Sequence, residues 1–291
     1  MKEIIIDCDN TFGVEGCDID DGLAIIYSIG TGRCELLGVT TTFGNNTLEV
    51  VTPNTYAFIK RIGMGHIPVF PGHASDARQN KAASFLAETV RRYPGRVSVL
   101  GIGSLTNLYH AWLLDPDFFE NVDQLAFMGG ITEPLIIMGK RLNELNFSCG
   151  SAASYNVLTK GKSITIATGN TCLDVLFTKK RFGLLARSGS PFLRRLYSQG
   201  EYWFAREHVY FGHDGIYKWD VFAAGSLLCP EFFTERHVNI SPDPESMKTG
   251  ILHGKGTPRP VVLPVVKDAE KFQEHVYECY ARFAQLHDGS F

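Results

Sequence analysis

Residues 4–23 read IIIDCDNTFGVEGCDIDDGL, and the fold turns on how this stretch is parsed. Ile4, Ile5 and Ile6 are consecutive β-branched apolar residues, which suits a strand covered on both faces. The run ends in Asp7 and Asp9, and a second acidic pair, Asp20 and Asp21, then opens an apolar helical stretch. Strand, loop and helix make one βα unit, and in open α/β sheets ligands bind beyond the carboxyl ends of the strands. Neighbouring carboxylates repel, so four of them at one strand end call for a hard cation or for acid–base chemistry. The bland alternative is a solvated acidic loop.

Moving outward, short apolar runs recur at 34–42, 67–72, 97–103, 124–130, 163–169 and 260–266. Most end in Gly, Asn or Asp and precede a helix-compatible stretch. Helices are predicted over 21–30, 47–62, 84–93, 105–114, 150–159, 179–186, 191–209 and 268–286, the last amphipathic. This alternation predicts one α/β domain over 1–291, an open, mixed, mostly parallel sheet with helices on both faces. Residues 203–219, WFAREHVYFGHDGIYKW, are dense in aromatics and histidines. They read either as a mobile lid or, for Trp203, Phe204 and Tyr210, as the core face of a helix. The Pro, Gly and Lys residues of 243–260 predict a surface connection.

The chain has 291 residues and a formal net charge of -3, which offers no electrostatic argument for nucleic acid or an anionic membrane and favours a small-molecule partner. No signal-peptide pattern opens it and no segment approaches a membrane span. Its seven cysteines are scattered without a CxxC pair, which predicts a reducing, cytoplasmic setting. Cys8 reads as a buried packing residue rather than a nucleophile.

Two chemistries fit the first loop. Asp7-Cys8-Asp9-Asn10-Thr11 resembles the D-x-D-x-T motif of haloacid-dehalogenase-like, Mg²⁺-dependent phosphatases, but no later acidic pair at a strand end completes that set. The competing resemblance uses more of the chain. Asp7, Asp9, Asp20 and Asp21 fill the acidic places of the opening D-x-D-P-G-x-D-D of the inosine-uridine-type nucleoside hydrolase family. Val39 to Asn45 is similar to VTTVxGN, Gly103 to Asn107 to GPLTN, and Met128-Gly129-Gly130 to MGG. Glu144-Leu145-Asn146 resembles E-F-N, and Trp219-Asp220 with Pro230-Glu-Phe-Phe resembles the late HDPLAxA…PELF.

The resemblance implies a nucleoside hydrolase fold with a Rossmann-like core, hydrolysis of the N-glycosidic bond of nucleosides, a Ca²⁺ ion and a homodimer or homotetramer. Carried over, Asp9, Asp21 and Asp220 are carboxylate ligands and Thr106 supplies its carbonyl. Asp9 is also the general base. Asp20 and Asn45 hold the 2′ hydroxyl side, Glu144 and Asn146 the 3′ and 5′ hydroxyls, and Met128 lies beside the substrate. Asp7 hydrogen-bonds behind the site. Asn45 also reads as an ordinary turn residue, and Thr106 and Asn107 as a helix cap.

The chain departs from the family pattern in a longer loop, residues 10–19, and in Trp219, which stands where many members carry a His at the leaving base. An indole stacks on a purine but donates no catalytic proton. Trp219 therefore points to purine nucleosides, with His208 or His213 as distant candidates for reaching the base. A catalytically silent nucleoside- or sugar-binding protein is the remaining alternative.

Overall fold

In a computed structural model, which describes residues 1–287, the isoleucine run becomes strand β1 (Lys2–Cys8) and the acidic pair opens helix α1 (Asp20–Gly30). The chain continues through β2 (Cys34–Thr41), α2 (Leu48–Arg61), β3 (Val69–Pro71), α3 (Lys81–Arg92), β4 (Val97–Gly101), α4 (Thr106–Leu114), α5 (Phe118–Asn121) and β5 (Leu125–Met128). A hairpin, β6 (Leu135–Ile137) and β7 (Lys140–Leu142), precedes α6 (Ser151–Lys160), β8 (Ile164–Ala167), α7 (Gly169–Cys172), β9 (Leu176–Thr178) and α8 (Lys179–Phe182). The long α9 (Pro191–Phe211), β10 (Gly215–Tyr217), α10 (Trp219–Leu228), β11 (Phe233–Ile240), β12 (Arg259–Val266) and α11 (Ala269–His287) complete it.

Eight strands form one sheet in the order β11-β12-β8-β5-β4-β1-β2-β3. All neighbours are parallel except β11 and β12, which pair antiparallel. The mostly parallel sheet expected from the sequence is therefore present. Successive β1 side chains serve opposite faces, with Ile4 and Ile6 in one core and Ile5 in the other, as the two-residue strand period requires. β1 lies between β2 and β4, so the chain leaves it in one direction and later returns on its other side. That reversal opens a crevice at the carboxyl ends of β1 and β4.

Several local expectations change. Residues 179–186 do not form one helix; α8 stops at Phe182 and a separate short turn spans Leu185–Arg187. Residues 203–211 are helical, because α9 runs to Phe211 and ends at Gly212, whose φ of 84° supplies a left-handed cap. Trp203 and Phe204 are buried there, while Tyr210 is exposed. Strands β9, β10 and β11 were not foreseen; β11, FTERHVNI, is an edge strand with mostly exposed residues and lacks an apolar pattern. The 243–260 segment is more than a surface connection, since Met247 and Leu252 are fully buried and Ile251 bridges to Ile131.

The loop of residues 10–19 is built in. Phe12 is buried and packs on Phe58 with ring centroids 5.4 Å apart. Gly22 leaves it room, since a Cβ there would meet Phe12 Cβ at 2.6 Å. Asn54 Nδ2 donates to the Asn10 carbonyl, and Tyr202 Oη to those of Val14 and Cys17. Replacing Phe12 with Ala removes a buried aromatic anchor and is expected to cost about 3–5 kcal/mol of stability, measured by urea unfolding at fixed pH.

Candidate active site

Asp9 follows β1 directly, and Asp20 and Asp21 occupy the first turn of α1, where Ile19 at the N-cap offers no side-chain bond and acidic residues complement the helix dipole. Asp220 sits in the first turn of α10. The fold wires these groups to one another's backbone. Asp21 Oδ1 accepts from the Asp9 N–H at 3.0 Å, and Asp20 Oδ2 accepts from the Asp220 N–H at 2.8 Å. Asn45, after β2, donates its backbone N–H to Asp9 Oδ2 at 2.5 Å, and its Nδ2 reaches Asp9 Oδ1 at 3.4 Å and Asp21 Oδ2 at 3.1 Å. The approach is close enough that a Cβ on Gly44 would lie 2.3 Å from Asp9 Oδ2.

Above these groups opens a cleft of about 620 Å³, its open mouth included. Its walls bring together Asp20, Asn45, Met128, Glu144, Asn146, Trp219 and Asp220. Asp9 and Asp21 are fully buried beneath Asn45. Thr106 heads α4 with its hydroxyl 2.8 Å from that of Ser104 and is not part of the cleft wall. No side chain caps α4, so the cap expected from Thr106 or Asn107 is absent. Asn107 serves Asp7 instead: its Nδ2 and the Thr40 hydroxyl donate to Asp7 Oδ1 at 2.7 and 2.6 Å.

Glu144 is held by backbone donors, with Gly130 and Phe147 N–H on Oε1 and Ser148 N–H on Oε2. Gly250, from the underestimated 243–260 segment, makes this possible: its φ is 70° and a Cβ there would lie 2.1 Å from Glu144 Oε2. Asn146 donates Nδ2 to the Met128 carbonyl at 3.0 Å and more weakly to that of Ile102 at 3.4 Å. Two cleft residues with polar side chains were missed in the sequence. Asp18 ends the long loop, two positions before Asp20, and its Oδ1 accepts from the Ile19 and Asp20 N–H groups. Asn143 immediately precedes Glu144. The signal for Asp18 was its proximity to the acidic pair.

Burial dominates the electrostatics. Desolvation pushes the Asp7 carboxyl up to about 7 and those of Asp9 and Asp18 to about 6. Asp20, Asp21 and Asp220 rise well above the usual carboxylate range, first through burial and then through a neighbouring carboxylate's charge, chiefly that of Asp18 on Asp20, Asp9 on Asp21 and Asp20 on Asp220. Lys218 is the buried counter-cation, with Nζ 4.4–5.5 Å from the Phe177, Tyr277, Tyr280 and Phe182 ring centroids. Burial brings its pKa down to about 7, while Asp20 opposes the fall.

The oxygen-only donor set suits a hard cation such as Ca²⁺, and Asp20 Oδ1 is buried without a hydrogen-bond partner. Among the described residues, however, no three His, Cys, Asp or Glu side chains are grouped as a ready-made metal cage.

Residues 4–274 match the family model described as inosine-uridine preferring nucleoside hydrolase. The probable uridine nucleosidase 1 of Oryza sativa subsp. japonica is 26% identical over 264 residues, covering 80% of each chain. Among solved structures, the plant nucleoside hydrolase PpNRh1 superposes with a TM-score of 0.84 at 22% identity, over 96% of this chain and 98% of its own. The purine-preferring ribonucleoside hydrolase from Gardnerella vaginalis gives 0.82 at 20% identity, over 98% and 100%.

The raised carboxyls set a pH dependence for the cation-free protein. A folded-state pKa above the ordinary 3.8 means that the folded protein holds these protons more tightly than the unfolded chain. The resulting stability is full below that ordinary value and is lost as pH rises through about 6 to 7. In chelator, denaturation midpoints should fall from acid toward neutral pH, and Asp7→Asn, which keeps an acceptor for Thr40 and Asn107, should flatten that decline.

Proposed function

The chain belongs to the inosine-uridine preferring nucleoside hydrolase family, enzymes that hydrolyse the N-glycosidic bond of nucleosides, and on that premise we propose a Ca²⁺-dependent, purine-leaning ribonucleoside hydrolase with the cleft above Asp9 as its active site. The observation that carries this reading is the convergence of Asp20, Asn45, Met128, Glu144, Asn146, Trp219 and Asp220 on one cleft, although they come from five separate stretches of the sequence. The D-x-D-x-T resemblance falls away for a physical reason. Asp7 is buried behind the site, and the Thr11 hydroxyl donates to the Asp18 carbonyl to shape the loop.

Asp9, Asp21 and Asp220, with the Thr106 carbonyl, would hold the Ca²⁺, which would supply a bound, acidified water and an anchor for ribose hydroxyls. Asp9, its carboxylate fixed by the Asn45 backbone N–H, then takes the proton from the attacking water. Asp20 and Asn45 meet the 2′ hydroxyl side. Glu144, fixed by three backbone N–H donors, binds the 3′ hydroxyl side and stabilises positive charge growing on the ring. Asn146 spends its nitrogen on backbone carbonyls, leaving its oxygen for a hydroxyl donor. Trp219 stacks on the base and desolvates it.

The plant relative's name specifies uridine, so the base preference needs a direct panel. Ribose release from inosine and guanosine should exceed that from uridine, should stop in calcium chelator, and should return when Ca²⁺ is restored. Asp9→Ala should lower kcat by at least about a hundredfold, the low end of a positioned general base. Uridine as the preferred substrate would sink the purine assignment, and full activity in chelator the calcium assignment.

A further inference from the structure

Trp219 is an indole and donates no catalytic proton to a departing base, and a second compartment adjoins the cleft beside it. This compartment, about 660 Å³ with its open mouth, shares Asp18, Leu142 and Trp219 with the first. The two are therefore adjoining rooms with the Trp219 indole at their boundary. Beyond it, Trp203, Arg206, Glu207, Tyr210 and Phe211 of α9 form the wall. Arg206 is held over the Trp203 ring at 4.1 Å. Lys140, at the tip of the β6–β7 hairpin, lies 4.4 Å from the Tyr210 ring centroid and ties the hairpin to the end of α9. The loop of residues 10–19 brings Asp18 to the same place through its Tyr202 anchor.

Resting on the ribohydrolase reading above, the geometry points to Glu207 as the general acid for the leaving purine. With ribose over Asp20, Asn45, Glu144 and Asn146, a base passing Trp219 enters the compartment that Glu207 lines. As the C1′–N9 bond breaks, its electron pair moves onto the purine and the Glu207 carboxyl delivers its proton to N7. The purine leaves neutral, hydroxide from water bonds to C1′, and the proton taken up at Asp9 returns through solvent to Glu207. Neither histidine competes. His208 pairs with Asp214 at 3.0 Å on the exposed side, and His213 stacks on Phe211; neither lines either compartment.

The surroundings suit an acid that keeps its proton near neutrality. Burial and then the Asp18 charge push Glu207 up to about 7, against the lowering effect of Arg206, whose Nη1 lies 3.8 Å away. Tyr210 of the same helix lines the compartment with it, and Tyr217 of β10 is raised first by burial and then by the Glu207 charge.

The test compares two leaving groups in the full-length enzyme with Ca²⁺. Purines need protonation to leave, whereas 4-nitrophenolate departs as a stable anion. Glu207→Gln and Glu207→Ala should each lower kcat on inosine and guanosine by about a hundredfold or more, while kcat on 4-nitrophenyl riboside changes by no more than a few fold. A parallel fall on both substrates, or no fall on either, overturns the assignment of Glu207 and leaves the ribohydrolase reading standing. A wild-type enzyme that cleaves neither substrate overturns that reading, and this one with it.

Discussion

Carboxylates taken out of water are the constraint around which the molecule is arranged. Asp9, Asp20, Asp21 and Asp220 are each at most 5% exposed, and a buried carboxylate survives only when protonated, hydrogen-bonded or matched by positive charge. Each device is present. Backbone N–H groups of Asp9, Asn45 and Asp220 are spent on acidic oxygens of other segments. These bonds tie the end of β1, the turn after β2, the start of α1 and the start of α10 to one point. The same low dielectric that makes the cluster costly makes its charges effective on a bound substrate.

Two supports come from outside that point. Lys218, only 1% exposed, carries its ammonium in a cage of four aromatic rings drawn from β9, α8 and α11, and its charge favours ionised Asp20. It immediately precedes Trp219 and Asp220, so the cage also anchors the chain where α10 begins. On the opposite wall, Gly250 allows the Glu144 carboxylate to approach a backbone turn that any side chain would block. The acidic floor and the wall are thus each fixed by residues that touch no part of the cleft.

Much of this was legible in one dimension, unevenly. The central strands carry unbroken apolar runs because both sheet faces are covered, and α1, α4, α6 and α11 lie within a few residues of their expected bounds. The edge strand β11 and the short pairs β6–β7 and β9–β10 bury too little to leave a periodic trace. The aromatic stretch after Trp203 reads equally as a lid or a helix face, because it is dense in aromatics and histidines and ends with Gly212 and Gly215, and the apolar stripe of α9 continues to Phe211. Asn107 was read as a cap because it follows a strand, but its amide is turned to the buried Asp7. No local pattern reports a partner one hundred residues away.

Chemical identity and order lie in the string itself: the acids at the end of β1 and the start of α1, the late Trp219-Asp220, and the alternation that makes a parallel sheet. These follow from side-chain polarity and backbone periodicity, which act over a few residues. The reversal of strand order at β1, the depth of Asp9 and Asp21 beneath Asn45, and the meeting of Asp18 with Glu207 beside Trp219 are set by packing between distant segments. Desolvation, which governs the charge state of every carboxyl in the cleft, depends on what surrounds a group in space and has no counterpart along the chain.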